Sequence, residues 1–377
     1  MLDGLAERLR NSVLNPLQRK FVGRDEVADL ITLAAVAGEH LFLYGPPGTA
    51  KSLLVRTFAE GVRGRYFEYL LTRFSEPNEI FGPIDLAKLR EGSVTTVTTG
   101  MLPEAEFAFL DELFNANSAI LNNLLTVLNE RTYRRGIETH RLPLICAFAA
   151  SNHLPEDDAL QALFDRFLLR CSVQALPRER LPALLAAGWA IERDGAERRD
   201  STEGLTADDL RELNRRVRGV DLTAVLERYA SAVSKVRDLG VALTDRRAVK
   251  ILKLVAASAV MCGRSAAAPS DLWVFRYVWD RAEQIGPLAA LVGGLLKDVV
   301  DDKPHPRSIP TGRVDPEALA KELADAEREA LPGIKLVDAA RLRERAQSIA
   351  DRAAWVPDAI ARDHLLRGTA ALVEKLG

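Results

Sequence analysis

The run His40-Leu41-Phe42-Leu43-Tyr44-Gly45-Pro46-Pro47-Gly48-Thr49-Ala50-Lys51-Ser52-Leu53-Leu54-Val55-Arg56-Thr57-Phe58 decides the fold. It reads as a short apolar strand, a glycine-rich turn and the start of a helix. In that order the backbone N–H groups of the turn converge at a helix N-terminus, an arrangement suited to wrapping phosphate oxygens. Lys51 would reach the β- and γ-phosphates as a point charge, and the Ser52 hydroxyl would ligate Mg2+. Gly45, Pro46, Pro47, Gly48, Thr49 and Ala50 would form the cradle itself. The general pattern places glycine immediately before the lysine. Ala50 departs from it, and its methyl is tolerable if the dihedrals there are already helical.

Outward from this run, compact apolar stretches at 66–71, 106–110 and 142–150 read as further strands, with helical patterns at 51–60 and 116–130 between them. Near-continuous apolar strands separated by helices imply a mostly parallel sheet buried on both faces, hence an α/β architecture. The strand at 106–110 runs into Asp111 and Glu112. Paired carboxylates there stand at the C-terminal edge of the sheet, where ligands of open α/β sheets bind. An apolar run ending in Asp-Glu is also how an ordinary strand meets an acidic loop, and only its place behind the glycine-rich turn points to chemistry. Asp111 would then complete the Mg2+ shell, and Glu112 would polarise an attacking water as general base. The third strand ends at Ser151 and Asn152, and the Asn152 amide suits a residue that orients that water.

Beyond about residue 200 the β signal stops. Thr206 with Asp209 resembles a capping box, and Thr244 is an N-cap for a helix over Asp245–Met261. The aromatic segment Trp273, Phe275, Tyr277, Trp279 reads as a core helix, although its alternation also fits a strand. Pro304, Pro306, Pro310, Gly312 and Pro316 mark a linker over 301–316. Leu319, Leu323, Ala326 and Ala330 then fall at helical spacing.

Bulk properties narrow the function classes. The chain has 377 residues, 47% hydrophobic and 28% charged, with a formal net charge of −2. That length suggests two or three domains, and the near-neutral balance speaks against a protein whose main task is gripping nucleic acid along a basic face. Cys146, Cys171 and Cys262 lie far apart, so a disulfide framework or zinc site is not expected and a reducing cytoplasm is the natural compartment. The N-terminal 20 residues are amphipathic without the apolar core of a secretory signal. No apolar stretch is long enough to span a membrane. The five histidines, His40, His140, His153, His305 and His364, form no HExxH pattern.

With these motifs in place the sequence resembles the AAA+ superfamily, within it the MoxR family, and most closely the RavA subfamily. The resemblance rests on Val22-Gly23-Arg24-Asp25-Glu26, the 45–52 turn, 69–77 with Ile80-Phe81-Gly82-Pro83, and 99–106 leading into Asp111-Glu112. Residues 120–125 and Asn129-Glu130-Arg131 complete it, so that it covers roughly 15–290. It implies an αβα ATPase core over 1–200 with an insertion near 81–100, a helical lid over 201–300, the linker, and a C-terminal helical region over 317–377. It implies ATP and Mg2+, a homo-oligomeric ring, usually a hexamer, and nucleotide bound between subunits. Val22 and Gly23 match the adenine pocket. Arg166 matches the arginine finger acting on the neighbouring subunit, with Arg170 as a second candidate one helical turn on. Arg246 matches the lid sensor that would contact the γ-phosphate of its own subunit, and the register between Arg246 and Arg247 stays open. The inserted β-rich module of RavA has no counterpart, since 314–377 reads only as helix.

The implied activity is ATP hydrolysis that remodels or activates a client protein with a separate von Willebrand factor A-domain partner, no DxSxS motif being present in this chain. Two other readings stand beside it: a nucleic-acid-associated motor, for which the basic hairpin tip Arg134-Arg135-Gly136 would be the contact, and a nucleotide-gated scaffold.

Overall fold

The computed structural model describes residues 2–92, 94–135, 138–155, 157–194, 204–297, 299, 301, 303–308, 316–330, 334, 336–353 and 359–376. Helices α1 (Leu2–Leu9) and α2 (Asn15–Lys20) precede α3 (Asp25–Ala37), which leads into β1 (His40–Tyr44) and α4 (Lys51–Gly61). Then come β2 (Tyr66–Leu70), the short helices α5 (Pro77–Phe81) and α6 (Leu86–Arg90), β3 (Phe107–Asp111) and α7 (Ser118–Glu130). The hairpin β4 (Thr132–Arg135) and β5 (Glu138–Arg141) is followed by β6 (Cys146–Ser151), α8 (Asp158–Phe164), β7 (Phe167–Ser172) and α9 (Leu181–Asp194).

Five strands form one parallel sheet in the order β2-β3-β6-β1-β7. Phe42, Phe109, Phe148 and Phe167 are fully buried within it, which is why the central strands read as unbroken apolar runs. The fold is thus an α/β core built on a parallel sheet, followed by helices throughout.

Strand β7 departs from the sequence reading, which set Arg170 one helical turn beyond Arg166. Helix α8 stops at Phe164, and Arg166 sits in the turn before β7. Arg170 is on the strand with its side chain buried. A charged residue inside the strand breaks the apolar run, so periodicity alone could not find it.

The region expected as a lid comprises α10 (Ala207–Val217), α11 (Leu226–Asp238), α12 (Asp245–Met261) and α13 (Ile285–Leu296). Thr206 and Asp209 form the capping box at the start of α10, and the Thr244 hydroxyl accepts from Arg247 N at the start of α12. The aromatic segment is a 3-10 helix over Pro269–Tyr277, with Trp273 and Phe275 buried as a core element. Within the stretch read as a linker, His305 and Ser308 are buried, His305 stacks on Trp273 at 4.5 Å between ring centroids, and Arg307 binds Asp29 on α3. Residues 309–315 of that stretch lie outside the described residues.

Helices α14 (Pro316–Glu329), α15 (Leu336–Ala353) and α16 (Ala359–Lys375) make a bundle with its own apolar core, built on Leu319, Leu323, Leu342, Ile349 and Leu365. Its α15 packs against α9. Among the described residues, no helix is long and apolar enough to cross a membrane.

Candidate functional site

Because the strands are parallel, their C-terminal ends share one edge. Strand β6 lies between β1 and β3, pairing Tyr44 with Ser151 on one side and Leu110 with Ala149 on the other. The glycine-rich turn after β1, Asn152 after β6, and Asp111 with Glu112 at the end of β3 therefore meet at that edge.

The turn is pinned at its base. Gly45 N donates to Ser151 O (3.1 Å) and Val173 N donates to Tyr44 O (2.7 Å), tying the loop to β6 and β7. A Cβ on Gly45 would lie 2.0 Å from the Val173 carbonyl oxygen, so only glycine fits. Lys51 is buried, and its ammonium donates to Gly45 O (2.9 Å) and Pro46 O (2.8 Å), folded into the loop it would serve. Burial lowers the Lys51 pKa, while Asp111 and Glu112 pull it back up and Arg24 opposes them. A desolvated ammonium facing two carboxylates suits a site that receives phosphate. Ser52 is half-buried at the start of α4.

Ala50 holds φ +63° and ψ 25°, left-handed rather than right-handed helical. The condition the sequence reading set for its methyl is therefore not met. This is the conformation for which glycine is ordinarily selected, and alanine occupies it at a cost of about 1–2 kcal/mol. Glu112 is also left-handed, with φ +51°, and its N–H donates to Asp111 Oδ1 (3.0 Å). That turn sends the chain from β3 into a 3-10 turn and leaves the Asp111 and Glu112 side chains half-buried. Strain of this kind, held by the surrounding fold, clusters at functional positions. Asn152 is exposed at the same edge, and the neighbouring His153 ring lies 5.8 Å from Phe114.

The arginines divide into two groups. Arg170 donates to Trp279 O (2.5 Å) and pairs with Asp280, and its guanidinium lies 3.7 Å over the Phe164 ring. Burial pushes its pKa down to about 9, with Arg247 adding to the shift and Asp280 opposing it. Arg247, also buried, donates to Asp280 (2.6 Å) and Val278 O (2.7 Å). Arg170, Asp280 and Arg247 are thus an internal clasp between β7 and the lid, and neither arginine is free to meet a nucleotide. Arg170, buried in this clasp, does not fit the role of a second finger, and of the Arg246–Arg247 pair only Arg246 is exposed.

Arg166 is half-buried, with its Nε lacking a partner among the described residues. Its pKa is lowered by burial and next by Arg246.

Val22 is buried and Gly23 half-buried in the turn before α3, where Gly23 has φ +66°. Sequence reasoning gave no separate role to Arg24 of this turn, which donates to Gln174 O (2.8 Å), or to Arg131. The Arg131 guanidinium contacts His40 and donates to Gly38 O (3.0 Å) and Ile145 O (3.3 Å), joining the starts of β1 and β6. Of the basic hairpin tip, Arg134 pairs with Glu130 on α7 (3.4 Å), and Gly136 lies outside the described residues. The insertion near 81–100 is the short helix α6 and an isolated antiparallel bridge between Ile84 and Thr96, and Ser93 lies outside the described residues.

Residues 7–215, more than half the chain, match the model described as the MoxR domain in the MoxR-vWA-beta-propeller ternary systems. The chain belongs to the MoxR family. Residues 222–291 of this MoxR-family chain match an AAA lid domain. An uncharacterised protein of Methanocaldococcus jannaschii is 36% identical over 272 residues, 71% of this chain and 70% of that protein. The chaperone MoxR1 of Mycobacterium tuberculosis is 29% identical over 177 residues, 45% of this chain and 46% of its own length. A solved structure from Cytophaga hutchinsonii, described as that of a candidate ATPase, superposes with a TM-score of 0.60 over 79% of this chain and 96% of its own. At 17% identity it speaks for the fold alone.

Proposed function

We propose that this MoxR-family chain binds ATP with Mg2+ and hydrolyses it in a homo-oligomeric ring, a hexamer, to remodel or activate a client protein. The observation that carries this reading is the strand order. By placing β6 between β1 and β3, it gathers Lys51, Asn152, Asp111 and Glu112 at one edge. Lys51 and the turn from Gly45 to Ala50 hold the phosphates. Ser52 and Asp111 supply the hard oxygen donors Mg2+ requires, and the ion when bound neutralises charge on the phosphoryl oxygens. Glu112 accepts a proton from the attacking water, and Asn152 orients that water.

We assign Arg166 to the γ-phosphate bound by the neighbour, where an arginine can contribute ~10³–10⁵ in rate, and the exposed Arg246 to the γ-phosphate of its own subunit. The partner is a separate von Willebrand factor A-domain protein, a reading supported by the description of the matching MoxR model. That description also favours this association over the finer likeness to RavA. Three free, buried cysteines are compatible with the cytoplasm as the compartment.

Phosphate release by wild type, Lys51→Ala and Glu112→Gln tests the core of the reading. Glu112→Gln should bind ATP normally yet hydrolyse it at least ~100-fold more slowly, and Lys51→Ala should bind it poorly. Hydrolysis by Glu112→Gln at the wild-type rate would remove Glu112 from the chemistry.

A further inference from the structure

A nucleotide held by its phosphates in the turn after β1 must point its γ end toward Glu112 and Asn152, across β6 and β3. The rest of it extends the other way, toward β7 and the turn before α3. That side is walled by three elements. A Cβ on Gly23 would stand 2.6 Å from Leu176 Cδ2 and 3.3 Å from an Arg180 guanidinium nitrogen, so Gly23, Leu176 and Arg180 pack closely together. The third element comes from the C-terminal bundle. Glu344, on α15, pairs with Arg180 at 3.4 Å. Its side chain is 18% exposed.

We propose that Glu344 is a positioning residue for the base end of the nucleotide, fixing the Gly23 turn and Arg180 so that the C-terminal bundle forms part of the nucleotide site. The proposal rests on the ATP-binding reading above. The Gly23 turn runs at positive φ and lies against Arg180, and without Glu344 the half-buried Arg180 cation loses its carboxylate partner. The bundle has its own apolar core, so this polar contact transmits its position to the ATPase core beyond what the packing of α15 on α9 does.

The test measures affinity for a fluorescent ATP analogue, and for inorganic triphosphate by competition, using full-length wild type, Glu344→Ala and Glu344→Gln. Inorganic triphosphate reports the phosphate cradle without the base. Glu344→Ala should weaken the ATP analogue about 5- to 10-fold and leave inorganic triphosphate within 2-fold, corresponding to the loss of about one charge-assisted hydrogen bond. Arg180→Ala should act in the same direction, and the double variant should be less than additive. Glu344→Gln keeps an acceptor for Arg180 and the side-chain volume, so it should lie between wild type and Glu344→Ala; it also carries the test if Glu344→Ala fails to fold. Equal weakening of both probes, or no change in either, overturns the proposal. Tighter ATP binding by Glu344→Ala also overturns it, because the contact would then be a block. Failure of the wild type itself to bind ATP would overturn the nucleotide reading and this one together, whereas binding by the wild type with unchanged variants overturns this one alone.

Discussion

Ala50 and Glu112 both sit at positive φ within the same site, and the cause differs at each. At Glu112 the left-handed turn redirects the chain from β3 into the following 3-10 turn. At Ala50 the left-handed turn belongs to the cradle, and the side chain adds only a methyl. Replacing Ala50 by glycine should therefore relieve backbone strain, offset in part by the larger conformational entropy of glycine in the unfolded chain. The expected net is a stabilisation of up to ~1 kcal/mol, a rise of about 2–4 °C in the melting of the ATPase core for a domain of this size. Thermal melting by circular dichroism checks it, and a fall in the melting temperature would show that the methyl contributes packing. At this scale the sequence was informative about residue types: Lys51, Ser52, Asp111, Glu112 and Asn152 announce themselves by spacing. It was silent about dihedrals, because the φ of Ala50 is set by the closure of the loop between β6 and β7, not by its neighbours in sequence.

At the scale of elements, strands β1, β3 and β6 were legible because each is buried on both faces and so carries an apolar run. Strand β7 was not, since Arg170 interrupts it and the residue that compensates, Asp280, lies far along the chain. Burial raises the Asp280 pKa, but Arg247 and Arg170 more than offset this and hold it below the usual range. An anion that unites two buried cations is costly to remove, because two uncompensated charges remain. Asp280→Ala should destabilise the protein by about 3–5 kcal/mol. Arg246→Ala, on the exposed face of the same helix start, should change stability by about 0.5 kcal/mol or less. Denaturant titration of the two variants side by side measures this contrast. A mild Asp280→Ala would mean that core and lid are held chiefly by other contacts, such as Glu39 with Lys250 and Lys253. The same clasp explains why the sequence could not separate Arg246 from Arg247: adjacent residues on a helix differ by about 100° in direction, and only the position of Asp280 shows which one is consumed internally.

For the whole molecule, the proposed chemistry needs more than one copy, because the cation at Arg166 is assigned to a neighbour's nucleotide. Mixing Glu112→Gln protein with Arg166→Ala protein should restore part of the ATPase activity, since some interfaces then pair an intact Glu112 with an intact Arg166. Phosphate release measured across mixing ratios should peak between the pure variants, and a flat profile in every ratio would place Arg166 outside the neighbour's site. The sequence indicated the ring only through family resemblance. It also showed a helical C-terminal region without indicating where that region docks, since a bundle core records its own packing and not the surface it meets.

The separate core of that bundle has a consequence for how the protein comes into being. Synthesis runs from the N-terminus, and domains fold broadly as they emerge. The sheet, its loops and the lid precede residue 316 and can assemble while α14–α16 are still being made. The bundle is three consecutive helices with contacts mostly local in sequence, the kind of topology that folds fast. Glu344 would therefore reach Arg180 only after the sheet and its loops have formed, so that the Gly23–Arg180 wall stays incomplete until translation has passed α15.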